Sequence, residues 1–272
     1  MKSERYAYMV HTPDKSEPKP ESETNLSEPV NLNTKEQLID FFSTYARLQK
    51  DPIKFLPDVE TWANEKAVEA LTEIQTRAEA GEKNKHYPQR HFFGVYDGEK
   101  MVGTGEVHIL RQKNKTKYAY LGHLVVDTDY RTKHVSVQLG NAQAELAAQE
   151  GCEFLTALIN TRNLPIIKQA LNNGFYIGEA ITYRKKEPSW SEFKIFKKIA
   201  KSSQSEPVAV GSESTQKLRV PLYDIEEIKN KLSQGYIGTR LIEVEPANVD
   251  IGKTVYEYGD VRKFVLELEI AK

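Results

Sequence analysis

Apolar positions change their period several times along the chain, and each change predicts an element. Residues 5–10 (RYAYMV) alternate apolar and polar and predict a first strand. Residues 12–33 are polar and proline-bearing and predict a solvated loop. Thr34 and Gln37 then have the spacing of a capping box. Behind it, Leu38, Phe41, Phe42 and Tyr45 share one helical face. A second helix is predicted from Asp58 to Ala80, with Trp62, Ala63, Ala67, Ala70, Leu71 and Ile74 apolar and a stop at Gly81.

Period two takes over in HFFGVYDGEKMVGTGEVHILRQ, where Asp97-Gly98 signals a hairpin between two strands. A turn at Asn114-Lys115 leads to a third strand, TKYAYLGHLVVD. A helix follows from about Val135 to Glu150, with Gly151 as its C-terminal stop. EFLTALIN reads as a buried strand, LPIIKQALNN as a short helix closed by Gly174, and FYIGEAITYRK and SEFKIFKKIA as two more strands. Residues 201–216 shift to serine, glutamate and proline and predict a linker. Beyond it the pattern predicts strand, helix, strand and a terminal hairpin turning at Gly259-Asp260. The expected division is therefore an α/β domain over 1–200, a linker, and a small α+β appendage over 217–272. A tail that short is marginal alone, so it is expected to pack on the first domain or to serve a protein partner or self-association.

Composition narrows the classes. The formal net charge of −1 gives no basic footprint for nucleic acid. A single cysteine, Cys152, excludes an intramolecular disulfide. No apolar run approaches the ~20 residues of a bilayer span, and the N-terminal residues lack a signal-peptide core. The expectation is a cytoplasmic protein with no membrane contact, in which the Asn25 and Asn114 sequons are chance matches. The six histidines show no metal-ligand spacing, so no metal site is expected.

The chemistry concentrates where the third strand runs through a short basic loop into a helix. That segment reads Leu124-Val125-Val126-Asp127-Thr128-Asp129-Tyr130-Arg131-Thr132-Lys133-His134-Val135-Ser136. A helix N-terminus offers unpaired N–H groups and about half a positive charge, which suits an anion. Arg131 and Lys133 add charge and Ser136 a hydroxyl. A second block runs from Asn163 through Ile167 and Ala170 to Gly174-Phe175.

Together, and in this order of elements, the two blocks resemble the GNAT superfamily of N-acetyltransferases, whose cofactor loop reads L-x-V-D-P-x-Y-R-G-K-G-x-G/A. The resemblance covers roughly residues 1–200. It implies a mixed, mostly antiparallel sheet with helices on both faces, and acetyl-coenzyme A as cofactor. It places the pyrophosphate at Arg131, Thr132, Lys133, His134, Val135 and Ser136, the pantetheine arm along Leu124, Val125 and Val126, and Asn163 beside that arm. It also implies a small-molecule or protein amine as acceptor.

This chain departs from the family pattern at several places. His134 and Ser136 stand where the loop carries glycines, Tyr120 and Gly122 where the base is often found, and Ala170 where a tyrosine acid is usual. A free amine has a pKa of about 10.4 and must lose a proton before it attacks. Candidates for that work are Tyr120, Glu106, His108 and His123, with Tyr176 or Tyr183 as substitute acids. Strand alternation puts His123 on the face opposite Tyr120, unless a bulge turns it inward. Two functions remain open here: an N-acyltransferase, or a catalytically inactive domain serving as a structural or interaction module.

Overall fold

The computed structural model describes residues 25–48, 58–80, 89–112, 116–183, 191–199, 217–246 and 260–270. The expected strand at 5–10, the stop at Gly81, the Asn114-Lys115 turn, the linker and Gly259 lie outside the described residues. The chain forms two compact units, Met1–Leu155 and Thr156–Lys272.

The first unit begins with β1 (Val30–Leu32), α1 (Lys35–Leu48) and α2 (Val59–Ala80). β1 falls inside the stretch expected to be loop. It pairs antiparallel with β2 (Gln89–Asp97), Leu32 opposite Phe92, and Leu32 is buried. Leu32 anchors this edge strand in the core beside Leu38 and Phe41. The capping box forms: the Gln37 N–H donates to Thr34 Oγ1 at 3.3 Å, and the Thr34 N–H to Gln37 Oε1 at 3.2 Å. Asp58 caps α2 by accepting from the Glu60 N–H at 2.9 Å.

The first core lies between these helices and the sheet. Leu38, Phe41 and Phe42 meet Ala63, Ala67 and Ala70 of α2 and Phe92 and Met101 of the sheet. The Phe41 ring stands edge-on to Phe42 and to Phe92, each with centroids 5.1 Å apart. Alanines on α2 let α1 approach closely, and each buried phenylalanine contributes about 1.5–3 kcal/mol of transfer energy.

β2 turns at Gly98, which takes φ 58°, into β3 (Lys100–Arg111). β3 pairs antiparallel with β4 (Lys117–Val126), giving the order β1-β2-β3-β4. On the other face lies α3 (Val135–Gln149), ended by Gly151 at φ 70°. Its close approach depends on Gly103 and Gly105. A Cβ at 103 would lie 2.5 Å from Val135 Cγ1, and one at 105 would lie 2.7 Å from Gln143 Nε2.

β5 (Phe154–Asn160) starts in the first unit and ends in the second. The second unit continues with α4 (Leu164–Asn172), β6 (Tyr176–Thr182), β7 (Ser191–Lys198), β8 (Leu218–Pro221), α5 (Ile225–Ser233), β9 (Tyr236–Glu243) and β10 (Phe264–Ile270). Its sheet order is β5-β7-β6-β9-β10-β8. β9 pairs antiparallel with β6 through Ile177 and Gly238. The strands expected as an appendage thus continue the sheet of β6 and β7. Ile177, Leu222, Ile228, Leu266 and Leu268 are fully or almost fully buried. The fold is mixed α/β, with a mostly antiparallel sheet and five helices among the described residues.

Candidate functional site

Two groups of residues in the first unit carry chemistry: the loop after β4, and a charged cluster on β3 and β4.

The loop opens at Asp127, whose N–H donates to the Val102 carbonyl at 2.8 Å and whose carboxylate accepts the Asp129 N–H at 3.3 Å. One turn of 3-10 helix, Thr128–Tyr130, follows. Lys100 Nζ sits 2.9 Å and Arg47 Nη1 3.4 Å from the Asp127 carboxylate. Burial raises its pKa; the Lys100 and Asp129 hydrogen bonds outweigh that and hold it below the usual carboxylate range. The Tyr130 hydroxyl donates to Asp97 at 2.7 Å, which pushes its pKa up to about 12 and ties the loop to the β2–β3 hairpin. Lys133 Nζ stands 4.6 Å from the centre of the Tyr130 ring.

His134 is the residue before α3. It takes φ 61°, ψ 12°, the left-handed conformation, and its side chain makes no capping bond. Its carbonyl accepts from the Val137 and Gln138 N–H groups at 2.9 and 3.0 Å. The backbone therefore adopts the turn that glycine makes cheap, with histidine in place. The His134 side chain is exposed, as is Thr132, while Val135 is buried under the helix. Leu124, Val125 and Val126 end β4, with Thr104 opposite Val125 and Gly103 opposite Val126. Asn163 lies in the second unit as the N-cap of α4; it is buried, and its carbonyl accepts from the Ile167 N–H at 3.0 Å.

The second group centres on Glu106, which is fully buried. The register between β3 and β4 shifts there: His123 and Leu124 together face Gly105. His123 takes φ 51° in this bulge. The extra residue brings His123 to the face that carries Glu106 and Tyr120, so simple alternation fails at this point. His123 Nδ1 contacts Glu106 Oε2. Arg90 Nε and His108 Nε2 each lie 2.6 Å from Glu106 Oε1. Arg90 also reaches Glu73 on α2 at 3.0 Å. The His123 ring is edge-on to Tyr45 at 4.4 Å and flanked by Phe41 and Phe42. Burial works against a charged Glu106. Its attraction to His123 and His108 and their hydrogen bonds overcome burial, holding its carboxyl well below the usual range. The Gln143 side chain donates to the Glu106 carbonyl at 3.1 Å, and Thr104 Oγ1 to the His123 carbonyl at 2.9 Å.

Of the residues singled out in the sequence, the structure brings His108 and His123 to the Glu106 carboxylate. Tyr120 sits on the same face, partly exposed, its ring 5.9 Å from that of His108. Glu106 is turned away from solvent, towards Arg90 and His123. Sequence reasoning gave Arg90 no role; its only signal is its position opposite His108 in the β2–β3 pairing. Tyr183 and Tyr176 belong to the second unit. Tyr183 donates to the buried Glu192 at 2.5 Å, and Tyr176 stacks on Phe196. Burial pushes the Cys152 thiol up to about 11, consistent with a packing residue. Among the described residues, no group of three or more His, Cys, Asp or Glu is arranged to hold a metal ion. Also among them, no helix is long and apolar enough to cross a membrane.

Residues 56–175 match the family described as acetyltransferase (GNAT) family. No curated protein matches the chain. Solved structures with a similar fold include the microcin C7 self-immunity acetyltransferase MccE in complex with acetyl-CoA and AMP (14% identity, 63% of this chain and 93% of that one, TM-score 0.48). Another is Arabidopsis thaliana Naa50 in complex with a bisubstrate analogue (16% identity, 63% and 99%, TM-score 0.43). A third is a GNAT-family acetyltransferase from Streptococcus pneumoniae (15% identity, 64% and 100%, TM-score 0.44).

Proposed function

We propose, on the premise that residues 56–175 form a domain of the acetyltransferase (GNAT) family, that this chain is an acetyl-coenzyme A-dependent N-acetyltransferase acting on a small-molecule or protein amine. The observation that carries the reading is the left-handed backbone at His134. It preserves the tight entry into α3 without a glycine, and so leaves the helix N-terminus presented to an anion.

The residues present fit the cofactor's pyrophosphate. The first N–H groups of α3, with Arg131, Lys133 and Ser136, would hold it. Leu124, Val125 and Val126 would line the pantetheine arm. When bound, acetyl-coenzyme A supplies an activated acyl carbon as a thioester. The chain's task is then to hold that group and to remove protons from the incoming amine. Tyr120 borders the candidate catalytic face, and Glu106 and His123 lie buried behind it. The strands after residue 217, which continue the second unit's sheet, would be part of the enzyme or a docking surface for a partner or a second copy.

The test is calorimetric titration of the whole chain with acetyl-coenzyme A. Saturable binding is expected. Arg131→Ala and Lys133→Ala should each weaken it about 5- to 30-fold, as befits a charge-assisted phosphate contact worth about 1–2 kcal/mol. Equal affinity in both variants would put the site elsewhere. No binding at millimolar cofactor would leave a GNAT-shaped domain without its ligand.

A further inference from the structure

We infer that His108, oriented by the buried carboxylate of Glu106, is the catalytic residue that accepts the proton from the amine. The inference rests on the acetyltransferase reading above.

Amine acetylation near neutral pH needs a base that is unprotonated, accessible and held in one orientation. Glu106 is fully buried, and the His123 side chain is 2% exposed beneath the α1 rings. Neither can touch an acceptor in this conformation. His108 is different: its side chain is 19% exposed and its Nε2 lies 2.6 Å from Glu106 Oε1. With Nε2–H donating to that carboxylate, the tautomer is set and Nδ1 is left as the acceptor atom. A carboxylate behind an imidazole also stabilises the imidazolium that forms.

The groups facing this pair come from three further elements. Arg90 on β2 bonds the same carboxylate oxygen, with Glu73 of α2 behind it; His123 and Tyr120 stand on β4. Arg90 and His123 fix the Glu106 carboxylate, which makes Glu106 a positioning residue. The Tyr120 ring stands edge-on to the His108 ring, with centroids 5.9 Å apart.

The proton balance is simple. An ammonium gives one proton to His108 Nδ1, directly or through a water, and the free amine attacks the thioester carbon. A C–N bond forms, the second N–H proton is lost, and the C–S bond breaks. One of the two protons ends on the thiol and the other in solvent.

Three measurements test this. Diethyl pyrocarbonate, which acylates unprotonated and accessible imidazole nitrogen, should modify His108 ahead of His123, read by peptide mass. Glu106→Gln should lower the His108 rate several-fold. This readout needs no cofactor. Calorimetry should then show that His108→Gln binds coenzyme A within about threefold of the wild type. Thiol release from acetyl-coenzyme A, with spermidine, a free N-terminal peptide and water alone as acceptors, should fall at least 100-fold in that variant. His108→Asn, of smaller volume, should behave alike if the ring is what matters. Wild-type protein that binds no coenzyme A overturns the acetyltransferase reading, and this inference with it. Binding together with undiminished thiol release in His108→Gln, or wild-type binding without thiol release, overturns the base assignment alone. An unreactive His108 does the same.

Discussion

His134 and His123 share a backbone conformation, at φ 61° and 51°, and replacing each with glycine should have opposite effects. The left-handed region costs a residue with a Cβ about 1–2 kcal/mol. Glycine removes that cost but enlarges the unfolded ensemble, losing about 0.4–1 kcal/mol. At His134 nothing else changes: the side chain is exposed and makes no capping bond. His134→Gly should therefore stabilise the first unit by roughly 0.5–1 kcal/mol, about 2–4 °C per kcal/mol for a chain of this size. At His123 the imidazole is buried, touches Glu106 and packs on Tyr45. His123→Gly removes that packing and one partner of a buried carboxylate, and should cost about 2–4 kcal/mol despite the same backbone relief. Scanning calorimetry of the whole chain, with the two units fitted as separate transitions, reads both. A lower melting temperature for His134→Gly would refute the reasoning. It would mean that the imidazole holds the loop through an interaction stronger than the backbone cost.

Two further outcomes are expected. Gly103→Ala should lower stability by about 1–3 kcal/mol, because its methyl would meet Val135 and force α3 outward; coenzyme A affinity should fall with it, since α3 begins at the proposed anion site. Glu106 has a folded-state pKa held well below its unfolded value of about 4.3. The stability it provides is complete above that unfolded value and is lost as pH falls through the folded one. Glu106→Gln should thus unfold in acid with a shallower dependence on pH below about 4.3, taking up about one proton fewer; an unchanged slope would show that the carboxyl is not ionised in the folded chain.

Much of the architecture is legible as local pattern. Thr34 with Gln37, Asp97-Gly98, Gly151 and Gly174 mark the ends of elements, because caps and turns depend on residues close in sequence. Two kinds of feature are not local. One is the bulge at His123 and Leu124: period-two reading puts His123 on the wrong face, and only the pairing of β4 with β3 reveals the extra residue. The cluster of Glu106 with His108, His123 and Arg90 stays hidden for the same reason, as its members come from three strands. The other is partner choice between strands. β9 reads clearly as a strand from its own residues, yet nothing in them says that Gly238 will sit beside Ile177. The contact needs glycine there: a Cβ at 238 would lie 2.9 Å from Leu266 Cδ2 and 3.1 Å from Ile177 Cβ.

The pairing of β6 with β9 has a consequence during synthesis. β6 leaves the ribosome well before β9, and at roughly 5–20 residues per second the wait is several seconds. Throughout it, one side of β6 presents unpaired amide and carbonyl groups, with Ile177 ready to be buried. Such an edge invites other chains to pair with it. A truncation after residue 200 should make the wait permanent and raise the product's tendency to aggregate, because the β6 edge then keeps no partner from the C-terminal strands.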